Sequence, residues 1–158
     1  MRVSRAIMVF ATLFATAALI AVACSDNNPT GIPAGLEVYT ATLNGANEAP
    51  TPVTTTATGH AIVTILGKVV TWKVDIDTPI DSIIAGHIHR HAADSVAGNV
   101  QVNFAPAATG VGFSGTATGG SATPVDSILA IIRAGRSYVN IHTKKNPGGE
   151  IRGTLVKQ

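Results

Sequence analysis

The sequence predicts an all-β fold, an antiparallel β-sandwich, preceded at the N-terminus by a short apolar helix. Three observations carry that expectation. From Leu36 onward, apolar and polar residues alternate with period two, the signature of half-buried strands. The alternating runs are short and bounded by Gly, Pro, Asn and Asp, and the chain holds 16 glycines and 8 prolines to make those turns. Only one later segment, Ser127–Arg133, has a helical pattern, so strands must supply the core.

The first element is the N-terminal segment. Arg2 and Arg5 precede Ala6–Val22, a run with no charged residue, which is the layout of a secretory signal. That run is short for a membrane span, which needs about 20 apolar residues, so its length leaves a retained membrane helix open as well. Ala21-Val22-Ala23-Cys24 resembles the lipobox of bacterial lipoproteins, with Ala21 where leucine is usual. The resemblance implies removal of residues 1–23, a lipid on Cys24 and anchoring at the cell envelope. In a cell with two membranes, Ser25 beside the cysteine fits passage onward to the outer membrane. Several acyl chains make such an anchor stable where one would not. Residues 24–35 then read as the lipidated cysteine and a flexible polar tether, and residues 36–158 as one domain.

Within that domain Leu36–Leu43 reads as the first strand, followed by a proline-bearing loop over Asn44–Thr58. Gly59–Leu66 and Val69–Asp77 form a hairpin about Gly67-Lys68, with Val70, Trp72, Val74 and Ile76 on the core face. Ile83–His91 follows, with Ile84 and Ile88 assigned to the core, then Asn99–Phe104 with Val100, Val102 and Phe104 inward. Gly110–Thr118 is the next strand, and the glycine-rich residues after it read as loose chain. Asp126 is placed to cap the helix Ser127–Arg133. Ser137–Thr143 and Glu150–Val156 close the chain as two strands, joined by a turn at Asn146-Pro147-Gly148-Gly149.

Charge and cysteine content exclude several functions. The formal net charge is +2, with eleven basic and nine acidic residues. Two of the basic residues lie in the signal, so the mature chain is neutral and carries no nucleic-acid surface. Cys24 is the one cysteine, and its acylation leaves no thiol for a disulfide. No serine or threonine sits in a nucleophile elbow or beside a base that the sequence identifies.

The residues that stand out are histidines. His87 and His89 are two apart on one strand and therefore share a face. In the strand Ser137–Thr143, Val139 and Ile141 face the core, which leaves Tyr138, Asn140 and His142 opposite. In the last strand Ile151 and Leu155 are inward, with Glu150 and Arg152 opposite. If these strands are neighbours, His87, His89, Asn140, His142, Glu150 and Arg152 meet in one polar patch. One reading is a metal site for copper or zinc, with His87, His89 and His142 as ligands and Glu150 as a ligand or an acceptor orienting a ring N–H. The other is a structural polar network in which Asn140, Glu150 and Arg152 lock the sheet, with Arg152 paired to Glu150. His60 reads as a polar residue flanking a turn, Trp72 as core, and Lys144-Lys145 as a solvated loop tip.

Leu43-Asn44-Gly45 with Glu48-Ala49-Pro50, Ala85-Gly86-His87-Ile88-His89, Tyr138-Val139-Asn140-Ile141-His142-Thr143 and Asn146-Pro147-Gly148-Gly149-Glu150-Ile151-Arg152-Gly153 together resemble the CHRD domain. They occur in that family's order across nearly all of residues 36–156, and His91 falls where the family varies. The resemblance implies an immunoglobulin-like β-sandwich or barrel, an extracellular or envelope location and no established catalytic activity. Gly86-His87-Ile88-His89 is also similar to the strand that supplies copper ligands in copper/zinc superoxide dismutases. Those enzymes' disulfide and zinc loop have no counterpart here, so dismutase activity is not expected. The expected function is a non-enzymatic envelope lipoprotein with a binding or structural module and an envelope or extracellular partner. The alternative is a copper- or zinc-binding envelope protein.

Overall fold

A computed structural model describes residues 32–91 and 98–158. The predicted signal, Cys24 and the tether up to residue 31 lie outside the described residues. Among the described residues no helix is long and apolar enough to cross a membrane.

The elements are β1 (Leu36–Asn44), a 3-10 turn (Gly45–Asn47), β2 (Thr58–Leu66), β3 (Val69–Ile80), β4 (Ile83–Arg90), β5 (Val100–Asn103), β6 (Phe113–Ala122), α1 (Asp126–Arg133), β7 (Ser137–Thr143), β8 (Ile151–Thr154) and β9 (Val156–Lys157). All pairings are antiparallel, in the order β5-β4-β7-β8-β1-β2-β3-β6 with β9 also on β1. The nine strands thus form one continuous sheet that curls nearly into a barrel. Its two edges approach beside Phe104, just after β5. The Thr118 hydroxyl of β6 donates to the Phe104 carbonyl at 3.3 Å, and the Phe104 ring stacks on Trp72 at 4.9 Å.

The period-two assignment holds best in the hairpin. Val70, Trp72, Val74 and Ile76 of β3 are buried, as are Ala61, Val63 and Ile65 of β2. Leu66 pairs with Val69 across the two-residue turn, where Gly67 takes φ +61°. On α1, Leu129 and Ile132 enter the same core, each stabilising the fold by about 2 kcal/mol.

Irregularities account for the departures from the sequence expectation. Ile84 is 44% exposed while Ile83 is buried, because a bulge between Ile83 and Ala85 reverses the side-chain alternation. A second irregularity, between Ile88 and His89 opposite β5, leaves Val100 exposed while Val102 and Phe104 stay inward. β3 runs past Asp77 to Ile80, with Pro79 accommodated where the register shifts.

The glycines after Thr118 are not loose chain but part of β6. Trp72 needs a flat strand beside it, and a Cβ on Gly120 would stand 2.8 Å from the indole. Asp126 is the first residue of α1 and not its cap. Val125 holds the cap position with no side-chain bond, and the Asp126 carboxylate takes Lys68 at 2.9 Å instead. The last predicted strand is broken at Leu155, whose side chain turns into the core and whose N–H donates to the Ser137 carbonyl.

Candidate metal centre

β4 and β7 are hydrogen-bonded neighbours, and their register sets His87 opposite Asn140 and Ala85 opposite His142. Ile88, Val139 and Ile141 fill the core, so the alternation sends His87, His89, Tyr138, Asn140 and His142 to the other face of the sheet. That face is not open. All of β7 is buried, because the loop between β1 and β2 and the turn between β7 and β8 fold over it.

The three histidines converge. One ligating atom from each of His87, His89 and His142 lies within 4.8 Å of the others. His89 and His142 are buried, and His87 is partly exposed. The tautomers follow from the hydrogen bonds. His89 Nδ1 lies 2.8 Å from the Gly98 carbonyl, and His142 Nδ1 lies 3.0 Å from the Pro147 carbonyl. A carbonyl oxygen only accepts, so both Nδ1 atoms carry the proton and both Nε2 atoms present lone pairs. His87 Nδ1 then donates to His142 Nε2 at 3.1 Å. His89 Nε2 is buried with no hydrogen-bond partner.

Electrostatics keep the cluster neutral. Burial, then the neighbouring His142 and His89, push His87 down to about 4. Burial also lowers His89, against the Gly98 carbonyl and with help from Arg152. It lowers His142 too, against the Pro147 carbonyl and with help from His89. Neutral imidazoles are the form that binds a metal, and burial favours that form in all three rings. The backbone carbonyls on the two Nδ1 atoms are the outer partners that fix ligating rings. The donor set therefore fits a first-row transition ion such as zinc or copper, which the three imidazole nitrogens would hold.

The other patch residues take separate places. Glu150 accepts from the Thr55 hydroxyl at 2.8 Å and the Thr143 hydroxyl at 2.6 Å, tying the β1–β2 loop to the end of β7. Arg152 lies with its guanidinium carbon 3.5 Å from the centre of the Tyr138 ring and donates to His91 Nδ1 at 3.3 Å. The opposite neighbour of Tyr138 is His89, stacked at 5.0 Å and 6° from parallel. Asn140 donates to Glu48 Oε2 at 3.4 Å.

His60 stands within β2, not beside a turn, with Asp77 at 2.9 Å from one ring nitrogen and Asp75 at 3.4 Å from the other. Its nitrogens thus serve two carboxylates and do not join the cluster. Lys144 and Lys145 are exposed at the loop tip.

Sequence reasoning from strand parity did not find Glu48. It lies on a loop, where alternation carries no information, yet it is buried at the edge of the patch beside Asn140. The one signal for it is its place in Glu48-Ala49-Pro50.

No curated protein and no solved structure matches the chain. The CHRD domain family matches residues 39–155, from the middle of β1 to Leu155. That span takes in the three histidines, the loop that bears Glu48 and the turn that bears Gly149, so the chain belongs to the CHRD domain family.

Proposed function

We propose that this chain is a non-enzymatic envelope lipoprotein whose CHRD domain holds one zinc or copper ion through ring nitrogens of His87, His89 and His142. The observation that carries this reading is His89 Nε2, buried without a partner on one of three imidazoles that each bring a ligating nitrogen within 4.8 Å of the others. A purely structural network would satisfy that nitrogen, since a buried unpaired polar atom costs about 1–3 kcal/mol. A metal bond turns the same atom into a favourable contact. Among the described residues the cluster includes no carboxylate placed to act as a general base, which supports a binding role over hydrolysis.

Titration calorimetry and metal analysis of the purified protein with zinc and with copper test the site. One ion per chain is expected, with loss of binding in His89→Ala and His142→Ala. Dissociation constants no tighter than millimolar for both metals would sink the metal reading. The location rests on the basic and apolar N-terminus and on Cys24. Membrane fractionation should find the wild-type chain with the membrane and Cys24→Ala in the soluble phase. If the variant stays with the membrane, residues 6–22 act as a retained helix and the lipid anchor is wrong.

A further inference from the structure

Glu48 and Asn140 meet in a buried contact with mismatched groups. Both are buried, at 6% and 4% exposure. Asn140 Nδ2 donates to Glu48 Oε2, and the remaining oxygens, Glu48 Oε1 and Asn140 Oδ1, are both buried with no partner. Each lies 2.7 Å from the point where a Cβ on Gly149 would stand, so they flank the same spot. A carboxylate offers two acceptors to the edge of an amide, which presents one N–H donor and one carbonyl acceptor. Turning the amide over changes which oxygens face each other and removes neither conflict. A carboxylic acid removes it, because it offers one donor and one acceptor in the complementary order.

We propose that Glu48 is held as the neutral carboxylic acid, with Oε1–H donating to Asn140 Oδ1 while Oε2 accepts from Nδ2, and that this acid–amide pair positions the turn that orients His142. The second half of the proposal rests on the metal-site reading above. The turn is the segment Asn146–Gly149. Gly149 packs against both members of the pair, and its N–H donates to the Asn146 carbonyl, which also accepts from Thr143 N–H. Between them Pro147 supplies the carbonyl that accepts from His142 Nδ1. Glu48, through the pair, is thus a positioning residue for His142.

The charge environment agrees. Burial raises Glu48 to about 7, against the opposing pull of the Arg152 guanidinium and the Asn140 amide. Of the other charged groups on elements packed nearby, Lys145 lines the opening between the two loops at its solvent end, and Glu150 is bonded to Thr55 and Thr143.

Infrared spectroscopy of the full chain at about pH 6 tests the protonation state, since ordinary carboxyl groups are ionised there. A protonated-carboxyl stretch that shifts in heavy water should be present in the wild type and missing from Glu48→Gln. If the band is absent, or persists in Glu48→Gln, the acid–amide pair is wrong. Glutamine keeps one donor and one acceptor, so Glu48→Gln should keep the wild-type zinc affinity at about pH 6. The wild type should bind zinc more weakly by about pH 8, where Glu48 ionises, and Glu48→Gln should not. Glu48→Ala should bind zinc about tenfold more weakly. Equal affinities in all three proteins at both pH values would overturn the positioning role. If no protein binds zinc, the metal reading falls and takes the positioning role with it, while the infrared band still decides the pair.

Discussion

Replacing Gly149 by alanine probes the closure of the turn over the polar face. Gly149 has φ +138°, a backbone conformation that costs a side-chain-bearing residue about 1–3 kcal/mol. The added Cβ would also stand 2.6 Å from Asn140 Nδ2, 2.7 Å from Asn140 Oδ1 and 2.7 Å from Glu48 Oε1. Those atoms are ends of side chains, but they are buried and confined, so they can only move by giving up their mutual hydrogen bond. Leaving those groups unpaired adds about 1–3 kcal/mol, and the whole change should cost about 2–6 kcal/mol. Gly67→Ala is the control. It has φ +61° at the β2–β3 turn and nothing within 4 Å of its would-be Cβ, so it should cost about 1–2 kcal/mol of backbone strain alone. Urea unfolding of both variants at one pH, with m unchanged, gives the comparison. If the two variants lose the same stability to within about 0.5 kcal/mol, the packing of Gly149 against Glu48 and Asn140 is wrong.

Phe104→Ala should destabilise by about 3–5 kcal/mol and change the Trp72 fluorescence, because the Phe104 ring fills the place where β5 nears β6; an unchanged emission spectrum would refute that contact. Two pH effects of opposite sign act on the metal-free protein. His87 is lowered to about 4, so the unfolded chain takes up its proton first, and this contribution to stability is present above about pH 6.5 and lost as pH falls through about 4. Glu48 is raised to about 7, so its contribution is present below about pH 4.5 and lost as pH rises through about 7. Over the shared range one offsets part of the other. Glu48→Gln should therefore steepen the rise of stability from pH 5 to pH 6 by up to about 1.4 kcal/mol per pH unit in urea unfolding; an unchanged slope would show that Glu48 is ionised throughout.

Much of the candidate site was legible because strand parity is a strict rule. His87 and His89 share a face by their spacing, and Asn140 and His142 share one by theirs, whatever the rest of the fold does. The same rule failed at Ile84 and Val100, where bulges add a residue, and a bulge depends on the partner strand. It also ended β6 too early, at Thr118 instead of Ala122. Gly119 and Gly120 hide any alternation there, and the strand continues because β3 lies beside it and the Trp72 ring occupies the side-chain space.

By itself the sequence determined the antiparallel all-β character, the β2–β3 hairpin, the core face of β3 and the pairing of two histidines on one strand. These follow from local periodicity and turn chemistry, which act between residues close in the chain. Only the tertiary structure decided that β4 and β7 are neighbours, which brings His142 to His87 and His89 from 55 residues away. It also decided that the polar face is buried and that Glu48, on a loop with no period, stands against Asn140. Those are long-range contacts, and in them desolvation and hydrogen-bond satisfaction decide what each side chain becomes. The same imidazoles and carboxyl in water would have ordinary pKa values and no reason to meet.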